Sequence, residues 1–188
     1  GFFISDHPLN QYKELFDDYN IVDYQTFNSN DDLKEINVAA TLLKIQERKT
    51  AKGNSYAVLK LTDLSSVFEL FIFSEALELN REILKEGNSL ILTLIKSITN
   101  NENRLKRINV QKIISLLDLL NKPISGVTFN LKSLSELDEI SKYLLKNGDT
   151  SVEIKIRDEN NNFNFQLKNK RNIDRKTLNL LRNKEIFS

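Results

Sequence analysis

The side chains of this 188-residue chain that could do chemistry are cations and aromatic rings between residues 48 and 107. An aromatic face can stack on a nucleotide base whatever its sequence, and a nearby lysine or arginine can follow the phosphates. Tyr56 and Phe71 are the candidate stacking residues, with Lys60 beside them. The candidate phosphate contacts in and around the flanking loops are Arg48, Lys49, Lys52, Lys96, Arg104, Lys106 and Arg107. Two alternatives stay open, because these rings could pack under neighbouring segments and the loop cations could simply be solvated.

Catalytic and metal-binding chemistry has few residues to draw on. The absence of cysteine excludes disulfides, thiolate zinc sites and cysteine nucleophiles, and the single histidine, His7, excludes the usual histidine clusters and triads. His7 adjoins a proline and lacks a partner at useful spacing, so we predict a structural or surface role for it. Asp17–Asp18 and Asp31–Asp32 are adjacent pairs whose side chains diverge and cannot hold two metal ions together. We therefore expect no catalysis, metal or cofactor in this chain.

The central part of the chain has the pattern of a five-stranded OB-fold barrel. Apolar alternation predicts strands over residues 36–47, 55–63, 67–73, 89–99 and 104–114, with a helix over 75–85 between the third and fourth strands. Polar or glycine-containing turns at 51–54, 63–66 and 100–103 separate the strands. The predicted helix has Ala76, Leu79, Ile83 and Leu84 on one face and is closed by Gly87.

Alternation also assigns the faces of the second and third strands. It predicts that Ala57, Leu59, Leu61, Phe68, Leu70 and Ile72 point inward. The outward residues are then Tyr56, Val58, Lys60, Glu69, Phe71 and Phe73. Such barrels commonly bind oligonucleotides or oligosaccharides on this face.

Charge is distributed unevenly along the chain, although its net value is only +1. Residues 1–35 hold 2 basic and 8 acidic side chains, residues 36–114 hold 12 and 8, and residues 115–188 hold 13 and 10. The predicted barrel without its helix and the adjoining Glu86 keeps 10 basic and 4 acidic side chains. This excess of cations favours a polyanion over a neutral sugar as the ligand.

The flanking segments predict three further regions. Residues 1–35 are expected to form a helical segment capped by Ser5 or Asp6, and residues 115–121 a linker. Residues 122–188 are predicted to form a small α+β domain, with strands over 126–131, 151–157 and 163–167 and helices over 133–146 and 174–182. Ser133 and Glu136 have the spacing of a capping box at the first of these helices. Apolar residues near the carboxyl end could anchor a partner or belong to the core: Leu180, Leu181, Ile186 and Phe187.

Length and composition set the wider expectations. The fold class predicted is mainly β, with an α+β terminal domain. No apolar run approaches the roughly 18 residues of a membrane span, so we expect a cytoplasmic protein without membrane contact. The chain starts at Gly1 and contains no methionine, so we expect a piece of a longer polypeptide.

Several motifs resemble the alpha subunit of bacterial DNA polymerase III, a family of replicative polymerases. The nine residues GFFISDHPL at 1–9 resemble the segment before that family's OB domain. The resemblance continues in the family's order through VAA at 38–40, RKTAKG at 48–53, LTD at 61–63, FELFIF at 68–73 and LKEG at 84–87. The chain departs from the family's usual glycine, glycine and proline at Ala40, Ser66 and Ser74.

The resemblance implies a function without catalysis in this fragment. The parent chain would be a DNA-directed DNA polymerase, a nucleotidyltransferase whose Mg²⁺-dependent aspartates lie upstream. The barrel would bind single-stranded template DNA, and the terminal domain would bind the tau subunit of the clamp loader, with other holoenzyme subunits as further partners. Two alternatives share the barrel: a module for protein–protein interaction only, and the anticodon-binding OB-fold of an aminoacyl-tRNA synthetase.

Overall fold

The computed structural model describes residues 6–98, 105–159 and 162–182. The chain divides into two compact units, Gly1–Leu120 and Asn121–Ser188. Strands make up most of the regular structure, so the predicted fold class, mainly β with an α+β part, is confirmed. None of the helices in the described ranges is long and apolar enough to cross a membrane.

The first unit contains one antiparallel sheet of five strands. They are β1 (Glu35–Lys49), β2 (Ser55–Thr62), β3 (Val67–Phe73), β4 (Ser89–Ile98) and β5 (Lys106–Ser115), in the order β3-β2-β1-β4-β5. The amino-terminal half of β1 pairs with β4 and its carboxyl-terminal half pairs with β2. A register shift between Leu42 and Lys44 bends β1 where it changes partner.

The sheet curls but stays open. β3 and β5 are its edge strands, and their Cα atoms come within 8 Å of each other in places. No hydrogen-bonded pairing joins these two edges among the described residues. The five predicted strands are therefore confirmed, whereas closure into an OB barrel is not.

One face of this sheet encloses the core, as the alternation predicted. All six residues predicted to point inward from β2 and β3 are buried. Val58, predicted to lie on the outer face of β2, is buried as well. Its position explains the burial: β2 lies inside the sheet, and Val58 is flanked by Gln46 on β1 and by the larger Phe71 on β3.

Among the described residues, helical segments cover the sheet at four places. They are a 3₁₀ helix (Pro8–Leu15), α1 (Tyr24–Ser29), α2 (Ser74–Asn80) and α3 (Leu116–Asn121). The predicted linker at 115–121 is thus helical, because Leu116 and Leu119 bury their side chains with Leu9 and Leu15 of the 3₁₀ helix. The predicted cap at Ser5 or Asp6 is replaced by His7, whose Nδ1 accepts a hydrogen bond from the Leu9 N–H at 3.1 Å.

Helix α2 ends five residues earlier than predicted. The chain leaves the helix after Asn80, and the buried Leu84 reaches the core from the following turn. Leu77 is the buried residue of α2, whereas Leu79, predicted on the apolar face, is exposed. Gly87 lies in this turn with a φ of +91°, and its N–H donates to the Leu42 carbonyl at 2.7 Å. That conformation favours glycine.

The second unit has the predicted β-α-β-β-α order with one addition. Its elements are β6 (Gly126–Leu131), α4 (Leu134–Ser141), β7 (Leu145–Arg157), β8 (Asn162–Gln166), β9 (Arg171–Asn172) and α5 (Arg175–Arg182). β6 and β7 are parallel, β8 is antiparallel to β7, and β9 pairs with the start of β7. The buried core includes Phe129, Ile140 and Ile154.

Helix α4 is shorter than predicted because the chain turns into a strand. The predicted helix over 133–146 ends at Ser141, and Leu145 already pairs with Asn172 of β9. The capping box was also wrong: the Ser133 side chain makes no capping bond, and Glu136 accepts from the N–H of Lys132 at 2.6 Å.

Candidate nucleic-acid interface

A cleft of about 520 Å³ lies between the two edge strands of the open sheet. One wall is β3, the other is β5, and helix α1 contributes the remaining side chains. The lining residues are Tyr24, Asn28, Glu69, Leu70, Phe71, Phe73, Lys106, Arg107, Ile108 and Asn109. The cleft thus brings together aromatic and basic side chains that are more than 30 positions apart in the sequence.

The wall formed by β3 is aromatic. Phe71 is 53% exposed and Phe73 is 63% exposed, although rings of this size are usually buried. Phe73 pairs with Tyr56 of β2, and Tyr56 in turn pairs with Arg48 of β1. The predicted Phe71 is therefore in the cleft, and the half-buried Tyr56 lies one strand away. The alternation of β3 predicted that Phe73 points outward, but Phe73 was not predicted to be a stacking residue. Its outward position on the same strand face as Phe71 could have indicated that role.

The predicted phosphate contact Lys60 is exposed but has an acidic neighbour. Glu69 of β3 lies directly opposite it in the register. Glu69 also lines the cleft. A phosphate passing along β3 would therefore meet a carboxylate, so the β3 wall suits bases better than phosphates.

The wall formed by β5 is basic. Lys106 and Arg107 both line the cleft, as their predicted role requires. The Nζ of Lys106 lies 2.6 Å from Oδ1 of Asp31 and donates to the carbonyl oxygen of Asn28 at 3.2 Å. Both partners of the ion pair are partly exposed to solvent. Lys106 is thus already engaged by an anion from the segment before the sheet.

Lys96 does not contact the cleft, so its predicted role in phosphate binding was wrong. It is only 3% exposed, and its Nζ donates to the carbonyl oxygens of Phe27 and, at 2.8 Å, of Asn30. The same Nζ lies 4.3 Å from the centroid of the Phe27 ring. Burial lowers the pKa of Lys96, and the nearby Lys106 lowers it further. Its donors satisfy carbonyl groups at the end of α1 that have no partner within the helix.

Helix α1 forms part of the cleft because two contacts fix its first residue, Tyr24. The Tyr24 ring stacks on Phe68 at 3.9 Å with an interplanar angle of 4°. The Tyr24 N–H donates to Oδ2 of the buried Asp63 at 2.7 Å. Asp63 Oδ1 also accepts from the N–H groups of Ser65 and Ser66, which confirms the predicted polar corner at 63–66. Sequence reasoning missed Tyr24, and the Asp23 N-cap, which accepts from the Thr26 N–H, was the only local signal.

The remaining predicted cations belong to the hairpin between β1 and β2. Arg48, Lys49 and Lys52 are exposed there, and Arg48 donates to Oε1 of Gln46 at 3.0 Å. None of the three is among the residues that line the cleft. Arg104 lies outside the described residues.

Comparison with known proteins gives a consistent set of relatives. No family model matches the chain. The DNA polymerase III alpha subunit of Rickettsia conorii is 30% identical over 142 residues, which cover 74% of this chain and 12% of the relative. The alpha subunit of Buchnera aphidicola is 31% identical over 154 residues, covering 76% and 13%. That of Rickettsia felis is 39% identical over 88 residues, covering 46% and 7%.

The resemblance to the DNA polymerase III alpha subunit is confirmed. The chain spans only about an eighth of the length of these relatives.

The resemblance to the alpha subunit also predicts partner contacts near the carboxyl end. Leu180 is exposed on α5 and is available for such a contact. Leu181 is 3% exposed and packs in the core of the second unit, so its assignment as a partner contact was wrong. The apolar residues of a helix can contact a partner or belong to the core, and the sequence pattern alone does not distinguish these two roles. Ile186 and Phe187 lie outside the described residues.

Proposed function

We propose that this chain is a non-catalytic, carboxy-terminal part of a DNA polymerase III alpha subunit and that its first unit binds single-stranded template DNA. The parent chain would be a cytoplasmic DNA-directed DNA polymerase, with its Mg²⁺ site in another domain. One observation carries the DNA-binding part of the proposal: the exposed rings of Phe71 and Phe73 face Lys106 and Arg107 across one cleft.

The two walls suggest how a strand of DNA would lie in the cleft. Bases would stack on Phe71 and Phe73, at about 1–3 kcal/mol for each stacked base. Phosphates would follow Lys106 and Arg107 on β5, away from Glu69 on β3. Stacking reads no sequence, so this arrangement favours binding with little sequence preference.

A titration of labelled oligothymidylate followed by fluorescence anisotropy tests this proposal. We expect weak binding whose log affinity falls linearly with log salt, because phosphate contacts release counterions. Phe73→Ala should weaken binding by about fivefold or more, since 1–3 kcal/mol of stacking is lost. Leu79→Ala is the matched control, because Leu79 is an exposed apolar side chain that does not line the cleft. Absence of binding at low salt and micromolar protein would refute the proposal.

A protein-interaction module is the second candidate function, and one observation favours it. β3 is an edge strand that has no second strand partner in the described part of the chain and exposes Val67, Phe71 and Phe73, so an extended peptide could add to it. A peptide held by backbone hydrogen bonds and apolar contacts would depend little on salt. The salt dependence of binding therefore separates the two functions.

We also propose that the second unit binds the tau subunit of the clamp loader. The resemblance to the alpha subunit and the exposed Leu180 support this proposal. Calorimetric titration of tau with the chain truncated after Arg182 should show at least tenfold weaker binding, because Ile186 and Phe187 are removed. Leu180→Asp should act in the same direction, whereas Leu134→Asp, at an exposed residue of α4, should not. Unchanged affinity in both the truncated chain and the Leu180→Asp variant would place the contact elsewhere.

A further inference from the structure

Strand β8 is an edge strand of the sheet in the second unit. It pairs with β7 on one side, and no strand within the described ranges pairs with its other side. All five of its residues are exposed. Natural proteins usually protect such an edge with a charge, a proline or a bulge. The β8 sequence Asn-Phe-Asn-Phe-Gln contains neither a charged residue nor a proline.

The two phenylalanines of β8 extend the apolar face of the sheet. Phe163 pairs with Ile156 of β7, and Phe165 pairs with Ile154, so each ring lies on the same face as a fully buried isoleucine. Phe163 nevertheless remains 47% exposed and Phe165 39% exposed. The opposite face of β8 carries only the amides of Asn162, Asn164 and Gln166. The strand therefore has one aromatic face and one amide face, and both continue to the open edge.

The order of these residues makes β8 complementary to a second copy of itself. In an antiparallel pair centred on Asn164, residue 162 lies opposite 166, 163 opposite 165, and 164 opposite its own copy. Each phenylalanine then meets a phenylalanine, and each amide meets an amide. Cross-strand aromatic pairs and amide pairs are both stabilising. This symmetry is what a two-fold contact between identical chains requires.

We propose that β8 is a self-association edge, through which two copies of this chain pair antiparallel about a two-fold axis at Asn164. The contact joins two four-stranded sheets into one continuous sheet of eight strands. It covers the exposed rings of Phe163 and Phe165 in both copies. A strand of five residues forms a small interface, so the dimer is weak and depends on concentration.

Sedimentation equilibrium of the full chain over a range of concentrations tests the dimer. The weight-average mass should rise from 21.8 kDa toward twice that value as concentration increases. Asn164→Lys should abolish this rise, because it places two lysines opposite each other on the axis. Mixing this variant with Asn164→Glu should restore association through opposite charges. Asn130→Lys is the control, since Asn130 is an exposed residue of β6 at the other edge of the sheet. A mass that stays at 21.8 kDa would overturn the proposal.

A cysteine cross-link tests the register without relying on a charged substitution. The chain contains no cysteine, so Asn164→Cys introduces the only thiol. Opposite residues of an antiparallel pair have Cα atoms about 4.5–5.5 Å apart, within the range that a disulfide spans. We expect Asn164→Cys to form a covalent dimer on mild oxidation and Asn130→Cys to form little. Equal cross-linking of the two variants, or none in Asn164→Cys, would refute pairing about Asn164.

Discussion

Asp31 and its neighbour Asp32 allow a matched test of the proposed DNA site. Asp31 forms the 2.6 Å ion pair with Lys106 in the cleft, whereas Asp32 is exposed and is not part of that pair. Replacing either residue by asparagine adds the same +1 to the net charge of the chain. Only Asp31→Asn, however, releases the ammonium group of Lys106 for a phosphate.

The expected magnitudes follow from the exposure of the pair. The side chains of Lys106 and Asp31 are 39% and 45% exposed, so solvent screens their attraction. Such pairs are worth about 0.2–1 kcal/mol, so the free energy of unfolding should fall by less than about 1 kcal/mol. DNA affinity should instead rise about fivefold at low salt, which corresponds to about 1 kcal/mol. One added phosphate contact should steepen the slope of log affinity against log salt by about 0.7.

Anisotropy titrations of oligothymidylate at four or more salt concentrations measure both quantities. We expect Asp32→Asn to raise the affinity less than Asp31→Asn and to leave the salt slope close to that of the unmodified chain. Identical curves for the two variants would show that net charge alone decides binding. An unchanged slope in Asp31→Asn would show that Lys106 does not contact phosphate, and the proposed path along β5 would then be wrong.

Three further predictions concern polar groups of the first unit that are partly or fully buried. Lys96→Met should lower the free energy of unfolding by about 2–4 kcal/mol in urea titrations, because the Phe27 carbonyl loses a charged donor and the Asn30 carbonyl is left with the longer bond from the Leu33 N–H at 3.3 Å. It should leave DNA affinity nearly unchanged. Asp63→Ala should cost a similar amount, since the N–H groups of Tyr24, Ser65 and Ser66 lose a buried acceptor, whereas Ser65→Ala should cost much less. Burial lowers the pKa of His7 below 6.5 against the opposing charge of Asp63, so the unfolded chain binds the proton more tightly. Stability should therefore fall as pH drops from about 7.5 through the folded pKa, and His7→Gln should reduce that fall in urea midpoints.

Strand positions were the most predictable part of this fold. One face of the sheet is buried, so the inward residues of β2 and β3 alternate with a period of two. The local sequence pattern is sufficient to predict such strands, because every second side chain along each strand packs against the same core. The closure of the sheet was not predictable in this way, since it depends on whether two distant edges pair.

Helix ends were less predictable because the core can be reached from a turn. Leu84 and Leu144 continue the apolar spacing of α2 and α4, yet both lie beyond the ends of those helices. Each packs against its core from the non-helical chain that follows. Apolar periodicity indicates that a residue is buried but not that it is helical, so both helices were predicted to be too long.

The role of Lys96 could not be predicted from its neighbours in the sequence. Its acceptors, Phe27 and Asn30, lie 69 and 66 positions earlier in the chain. A lysine in a strand next to a basic hairpin has the local features of a phosphate contact. Only the packing of α1 against the sheet converts it into a structural donor, and no local pattern encodes that packing.

The segment before the sheet therefore determines which cations remain for a ligand. Residues 1–35 were predicted as a separate helical segment, yet Phe27 and Asn30 engage Lys96, and Asp31 engages Lys106. The positive charge that faces the cleft is smaller than the excess of basic side chains in the sheet suggests, because Lys96 and Lys106 already have partners within the protein. Of the cations that line the cleft, only Arg107 lacks a carboxylate partner in an ion pair within the described ranges. Stacking on Phe71 and Phe73 must then supply most of the proposed affinity for DNA, with electrostatic attraction as the smaller contribution.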